Sequence, residues 1–190
     1  MVTNGSFETP VISGTFQQFP SSIPGWTGTA GIEIQANGAL GSGKGGTTFG
    51  NQYAELAVEA PSTYSQTVTT TPGQDYLLSF YLADRPGTGA NTVAVGFTGN
   101  PSQQFTVQDT GVAQFQNFTE SFVATSANSV LSFQPVNLQF AGGGDLIDNV
   151  SLTAAGSPSA APLPAALWTG LSVVLGIVAF GLVRRFCRQT

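Results

Sequence analysis

Tyr76, Leu78, Phe80 and Leu82 alternate with Leu77, Ser79, Tyr81 and Ala83. This period of two predicts an internal strand with one apolar and one mixed face. Val93, Val95 and Phe97 alternate in the same way with Thr92, Ala94 and Gly96. Phe118, Glu120 and Phe122 alternate with Thr119, Ser121 and Val123; Leu131 and Phe133 continue the trend, and Leu146, Val150 and Leu152 close it. No long stretch before residue 160 shows the three-and-four spacing of an amphipathic helix. Thr71-Pro72-Gly73-Gln74 predicts a type II turn, with Pro72 presetting φ and Gly73 accepting a positive one. Between Tyr64–Val68 and Asp75–Ala83 it makes either a hairpin or a tight corner. Ala36–Phe49 and Arg85–Asn91 read as loops, and Val2–Glu8 as a strand and turn. Short strands at regular spacing between such turns predict an all-β, antiparallel jelly-roll β-sandwich over residues 1–153.

The pattern then changes. Residues 154–162 are an Ala/Ser/Pro-rich spacer, and Ala165–Val183 is an uncharged run of nineteen residues. At 1.5 Å per residue a helix of that length covers roughly 28 Å, close to the hydrocarbon thickness of a bilayer. Residues 163–183 are therefore predicted to be a single transmembrane α-helix. Trp168 lies near one end, and Arg184, Arg185 and Arg188 form a basic tail over 184–190. Arginines favour the cytoplasmic side, which places the body on the outer face. Met1 is followed directly by body-like sequence, with no export signal in view. Two readings stay open: a start that lacks its signal, or a tail-anchored protein with its body in the cytosol.

All ten acidic residues precede the span, against only Lys44 and Arg85 on the same side. A body so poor in basic residues argues against nucleic-acid binding. There is no histidine, and the one cysteine, Cys187, follows the span. Zinc sites of the Cys/His kind and His-dependent catalytic groups are excluded, as are disulfides within the body.

Asn4-Gly5-Ser6-Phe7-Glu8, followed by Ile23-Pro24-Gly25-Trp26, resembles the opening of galactose-binding-like jelly rolls. These include carbohydrate-binding modules and the DUF642 or choice-of-anchor proteins. Asp145–Leu152 resembles their closing strand, and Tyr64–Val68, Pro72-Gly73 and Tyr76–Phe80 their middle. The resemblance implies a structural Ca²⁺ held by the carboxylates of Glu8 and Asp148, with loop carbonyls completing the shell; the alternative is that both carboxylates only accept backbone N–H bonds at strand ends. Asp148 shares parity with Leu146, Val150 and Leu152, so its side chain is expected to point inward. The tail is similar to PEP-CTERM sorting signals, which an exosortase recognises and cleaves. Pro162-Leu163-Pro164 has leucine where that pattern has glutamate, which leaves open a cleaved, released product and an uncleaved anchor.

Sugar binding in this architecture stacks aromatic rings on sugar faces. The candidates are Trp26, Tyr53, Tyr64, Tyr81 and Arg85, helped by Glu55 and Gln66, with core packing the competing role for Trp26. Glycoside hydrolysis would need two carboxyl groups about 5–9 Å apart. Glu55 and Glu59, if one extended strand carried both, would stand roughly 13 Å apart, and Ala60-Pro61 suggests that Glu59 is already in a loop. Nothing in the sequence brings Glu33 to Glu55 across strands, so no catalytic pair is assigned. The expectation is an exported, membrane-anchored or sorted cell-envelope protein with a non-catalytic, glycan-associated domain. Its partners would be the bilayer, an exosortase-like enzyme and a polysaccharide; the alternative is a matrix component with no specific sugar.

Overall fold

The computed structural model describes residues 1–39, 49–98, 100–107, 114–138 and 143–156. Twelve strands run in order: β1 Phe16–Phe19, β2 Ser22–Ile23, β3 Trp26–Gly28, β4 Ile32–Ala36, β5 Gln52–Glu55, β6 Tyr64–Thr69, β7 Asp75–Ala83, β8 Asn91–Phe97, β9 Asn100–Val107, β10 Gln116–Val123, β11 Asn128–Asn137 and β12 Leu146–Ala154. They form two six-stranded antiparallel sheets, ordered β1-β4-β5-β12-β7-β10 and β2-β3-β6-β11-β8-β9. Every strand pairing within these sheets is antiparallel. This is the two-sheet sandwich expected of a jelly roll.

The alternation in the sequence maps onto the layers. Leu78, Phe80 and Leu82 of β7 face Val93, Val95, Phe97, Leu131 and Phe133 of the opposing sheet, and all are buried. Ring contacts such as Phe80–Phe133, 5.2 Å between centroids, knit the layers together. The turn at Thr71–Gln74 is a corner, because β6 and β7 belong to different sheets; Gly73 has φ 79°.

Glu59, with φ 57°, lies in a loop beyond the end of β5, as Ala60-Pro61 suggests. Two expectations are corrected. Val2–Glu8 contains turns and no strand. The second concerns β12. Its register against β7 shifts between Asp148 and Ser151, and Asn149 there has φ 48°. Such a bulge breaks the period of two. Ile147, Val150 and Leu152 join the core between the sheets, while Leu146 packs with Tyr53 and Ala83 in a separate cluster. Asp148 pairs with Tyr81, so both side chains lie on the outer face of the first sheet, away from that core.

The gap that opens where β5 and β12 part is filled by the N-terminal segment. Val150 N–H donates to Gly5 O at 2.9 Å. On the other side, the Gln52 amide donates to Phe7 O at 2.9 Å, and Glu8 Oε1 accepts from Asn51 and Gln52 N–H at 2.8 and 3.0 Å. Phe7 enters the core and stacks on Trp26 at 5.3 Å. The indole Nε1–H donates to Asn4 O at 3.0 Å, and the Asn4 amide donates to Pro24 O at 3.1 Å. The two opening motifs are thus one joint.

Met1–Ala155 is one compact unit. The anticipated span 163–183, with Pro162, Pro164, Trp168, Arg184, Arg185 and Arg188, lies outside the described residues. Among the described residues, no helix is long and apolar enough to cross a membrane.

Candidate functional site: the outer face of the first sheet

Strand register places two rows of side chains across this face. One row is Gln18, Glu33, Glu55, Leu146 and Ala83, paired in sequence across β1, β4, β5, β12 and β7. The other holds Phe16, Gln35 and Tyr53 on one side and Asp148, Tyr81 and Asn117 on the other. Directly opposed antiparallel residues share a face, so these rows form one surface.

The polar members are wired together. Gln18 Nε2 donates to Glu33 Oε2 at 2.9 Å, and Gln35 Nε2 donates to Glu33 Oε1 at 3.0 Å and to Glu55 Oε2. Arg85 Nη1 donates to Glu55 Oε1 at 2.7 Å, an oxygen that also accepts Gly144 N–H at 3.0 Å. Burial pushes the Glu55 carboxyl up to about 7; Arg85 opposes the shift by charge and hydrogen bond, and Glu33 adds to it. The single amide of Gln35 occupies the space between the two carboxylates.

Aromatic rings flank this rail. At one end, Phe16 on edge strand β1 is 56% exposed. At the other, Phe49 meets Tyr81 edge-on at 5.0 Å and stacks on Phe115 at 4.6 Å, while Phe115 contacts Tyr53 at 5.7 Å. Tyr81 and Phe115 are half-buried. From β1 to β7 is four strand spacings, roughly 19 Å.

Of the anticipated sugar contacts, Tyr53, Tyr81 and Arg85, with Glu55, come together here. Trp26 and Tyr64 do not: both lie in the core, 1% and 0% exposed, and present no ring face to a ligand. Tyr53 is also 0% exposed; its hydroxyl lies 3.2 Å from Gln35 Oε1 and from Ala39 O, so it supports the face from beneath. Tyr64 reaches across the core, accepting Glu33 N–H at 2.9 Å and donating to Glu55 O. It holds the backbone of β4 and β5 where their two glutamates project outward. Burial pushes its phenol up. Gln66 clamps the backbone of Thr3 through both amide atoms. Phe16, Gln18, Gln35, Phe49 and Phe115 were not picked out from the sequence. A four-residue edge strand gives too short an alternation to show which face Phe16 takes.

Of the anticipated metal ligands, Glu8 lies near enough to Asp148 for its charge to act on that carboxyl. Burial pushes the Asp148 carboxyl up to about 8; the Asn149 N–H, donated to Oδ1 at 2.7 Å, opposes this, and the charge of Glu8 adds to it. Asp148 Oδ2 is buried with no hydrogen-bond partner. An orphaned, buried carboxylate oxygen suits a hard cation. Among the described residues no three carboxylate, imidazole or thiolate groups converge, so backbone carbonyls would have to complete any shell.

Residues 1–153 match the model of a family described as a protein of unknown function, DUF642. The chain belongs to the DUF642 family. No curated protein matches it. Among solved structures, the CBM22-1 xylan-binding domain of Paenibacillus barcinonensis Xyn10C is similar, at 13% identity and a TM-score of 0.50 over 75% of this chain and 94% of that one. TmCBM61 in complex with β-1,4-galactotriose aligns at 16% identity and a TM-score of 0.49, over 80% of this chain and 96% of that one. An exo-β-1,3-galactanase from Phanerochaete chrysosporium aligns at 12% and 0.46, over 75% of this chain but 30% of the enzyme. The DUF642 domain therefore has a carbohydrate-binding-module-like fold.

Proposed function

We propose that this DUF642 protein is a non-catalytic, glycan-associated surface protein whose ligand lies across the outer face of the first sheet. The observation that carries the reading is the polar rail from Gln18 to Arg85, flanked by exposed Phe16 and by the half-buried Tyr81 and Phe115. Rings offer faces for sugar stacking, and the Gln18 amide and Arg85 guanidinium at the two ends of the rail suit hydroxyl groups, while the buried Glu33, Gln35 and Glu55 hold those two side chains in place. The CBM22 likeness supports this at the level of fold. Gln35, wedged between Glu33 and Glu55, favours binding over hydrolysis, because it fills the place a glycosidic oxygen would need.

A glycan array and affinity electrophoresis with the full chain test the reading. Phe16→Ala and Tyr81→Ala should each weaken retention on the best polysaccharide about tenfold or more, with the fold intact by circular dichroism. Wild-type protein that is retained on no glycan supports instead a matrix or adhesive component. Glu8 and Asp148 would hold a structural Ca²⁺ that ties the N-terminal segment to β12. Ca²⁺ should then raise the melting temperature of the wild type, and EDTA should remove that gain. Export and anchoring through residues 163–190, with exosortase-like processing, belong to the same proposal and rest on the sequence of that tail.

A further inference from the structure

A second acidic cluster lies apart from the Glu8–Asp148 pair, where the loop after β7 meets the start of β12. Asp84 and Thr88 are buried, and Asn91 and Asp145 are 0% exposed. Thr88 Oγ1, with a single proton to give, lies 2.9 Å from Asp84 Oδ1 and 2.7 Å from Arg85 O, and the Asn91 amide donates to Asp84 Oδ1 at 3.0 Å. Asn91 also reaches Thr88 Oγ1 at 3.3 Å. Neither oxygen of Asp145 has a hydrogen-bond partner, and nor does Asn91 Oδ1.

Three buried oxygen atoms without partners, on two neighbouring side chains, are costly unless something positive lies among them. Among the described residues, the Asn91 amide donates to Asp84, and Gly144 N–H and Arg85 Nη1 donate to Glu55. Arg85 is the one cationic side chain among the described residues. Burial pushes the Asp145 carboxyl up to about 7; the neighbouring Asn91 amide opposes this without completing a hydrogen bond of ordinary geometry, and the charges of Asp84 and Glu55 add to it.

We propose that Asp84, Asn91 and Asp145, with Thr88, form a binding site for one divalent cation, calcium by its ligand chemistry, which fastens the 84–91 loop to β12. Two carboxylates, an amide oxygen, a hydroxyl and backbone carbonyls are hard donors, and Ca²⁺ accepts such mixed, irregular shells better than Mg²⁺ does. The Asn91 amide turns to present Oδ1 to the ion. Because Arg85 follows Asp84 directly, the bound cation also holds the loop that sets Arg85 against Glu55.

The test is calcium counting by equilibrium dialysis on the full chain in detergent micelles, stripped beforehand with EDTA. Asp145→Asn should lose one Ca²⁺ per chain relative to wild type. It should lose the same one in an Asp148→Asn background, which separates this site from that of Glu8. Asn91→Asp, which adds a third charge, should bind about tenfold more tightly; if it unfolds in EDTA, calcium should restore its fold. Asp145→Asn binding as much calcium as wild type overturns the proposal, because the Asp145 carboxyl is then simply protonated. So does Asn91→Asp binding no more tightly, or staying unfolded in calcium; where Asp145→Asn does not fold, Asn91→Asp alone decides.

Discussion

Gly5 shows how a single missing side chain sets a joint. A Cβ there would lie 2.0 Å from the carbonyl oxygen of Val150, an atom of the bulge backbone that cannot move aside. Gly5→Ala should therefore prise the N-terminal segment off β12. We expect a loss of about 2 kcal/mol or more, read as a lower urea midpoint at unchanged slope. Trp26→Ala removes the ring on which Phe7 stacks and should cost about 3–5 kcal/mol, a stability loss with no separate effect on a sugar. Glu55 supplies a pH signature. Its folded pKa is raised from 4.5 to about 7, so the native state holds a proton that the unfolded chain has released. Stability from this group is present below pH 4.5 and is lost as pH rises toward 7. Glu55→Gln should flatten that part of the stability-versus-pH curve, by on the order of 1–3 kcal/mol across the interval.

At the level of elements, β7, β8, β10 and β11 were legible because seven or more alternating residues outweigh any single exception. The short strands β1 to β5 were not, since two to five residues show too little of a period to assign a face. Asp148 was misassigned for a different reason. Its strand alternates on both sides of a bulge, and one inserted residue reverses parity with no warning except an asparagine that tolerates φ 48°. The bulge is what carries Asp148 to the outer face beside Tyr81 and toward Glu8. Asn149→Gly should leave stability nearly unchanged. Asn149→Val, whose branched side chain resists positive φ, should lose about 1–3 kcal/mol. Chemical denaturation of the pair measures the difference; equal stabilities would mean that the bulge is not held by its backbone conformation.

For the whole molecule, the acidic strand-built body and the tail pose separate physical questions. The body's fold was foreshadowed by motifs at its two ends. The face proposed to bind a ligand was only half visible, because Trp26 and Tyr64 carry the same rings as a binding platform yet face the core. Register, which the sequence does not display, is what gathers Phe16, Gln35 and Tyr53 into one row. The tail's argument is hydropathy alone: nineteen uncharged residues followed by three arginines in five positions. If that run embeds in lipid, the full chain should partition into the detergent phase of Triton X-114 and resist alkaline carbonate extraction. One charge at its centre is then decisive. Leu175→Arg should add about 2.5–3.5 kcal/mol to the cost of insertion and shift the protein toward the aqueous phase, while the body's melting temperature stays where it was. A wild-type chain that is already aqueous would remove the anchor from the proposal and leave the glycan face standing by itself.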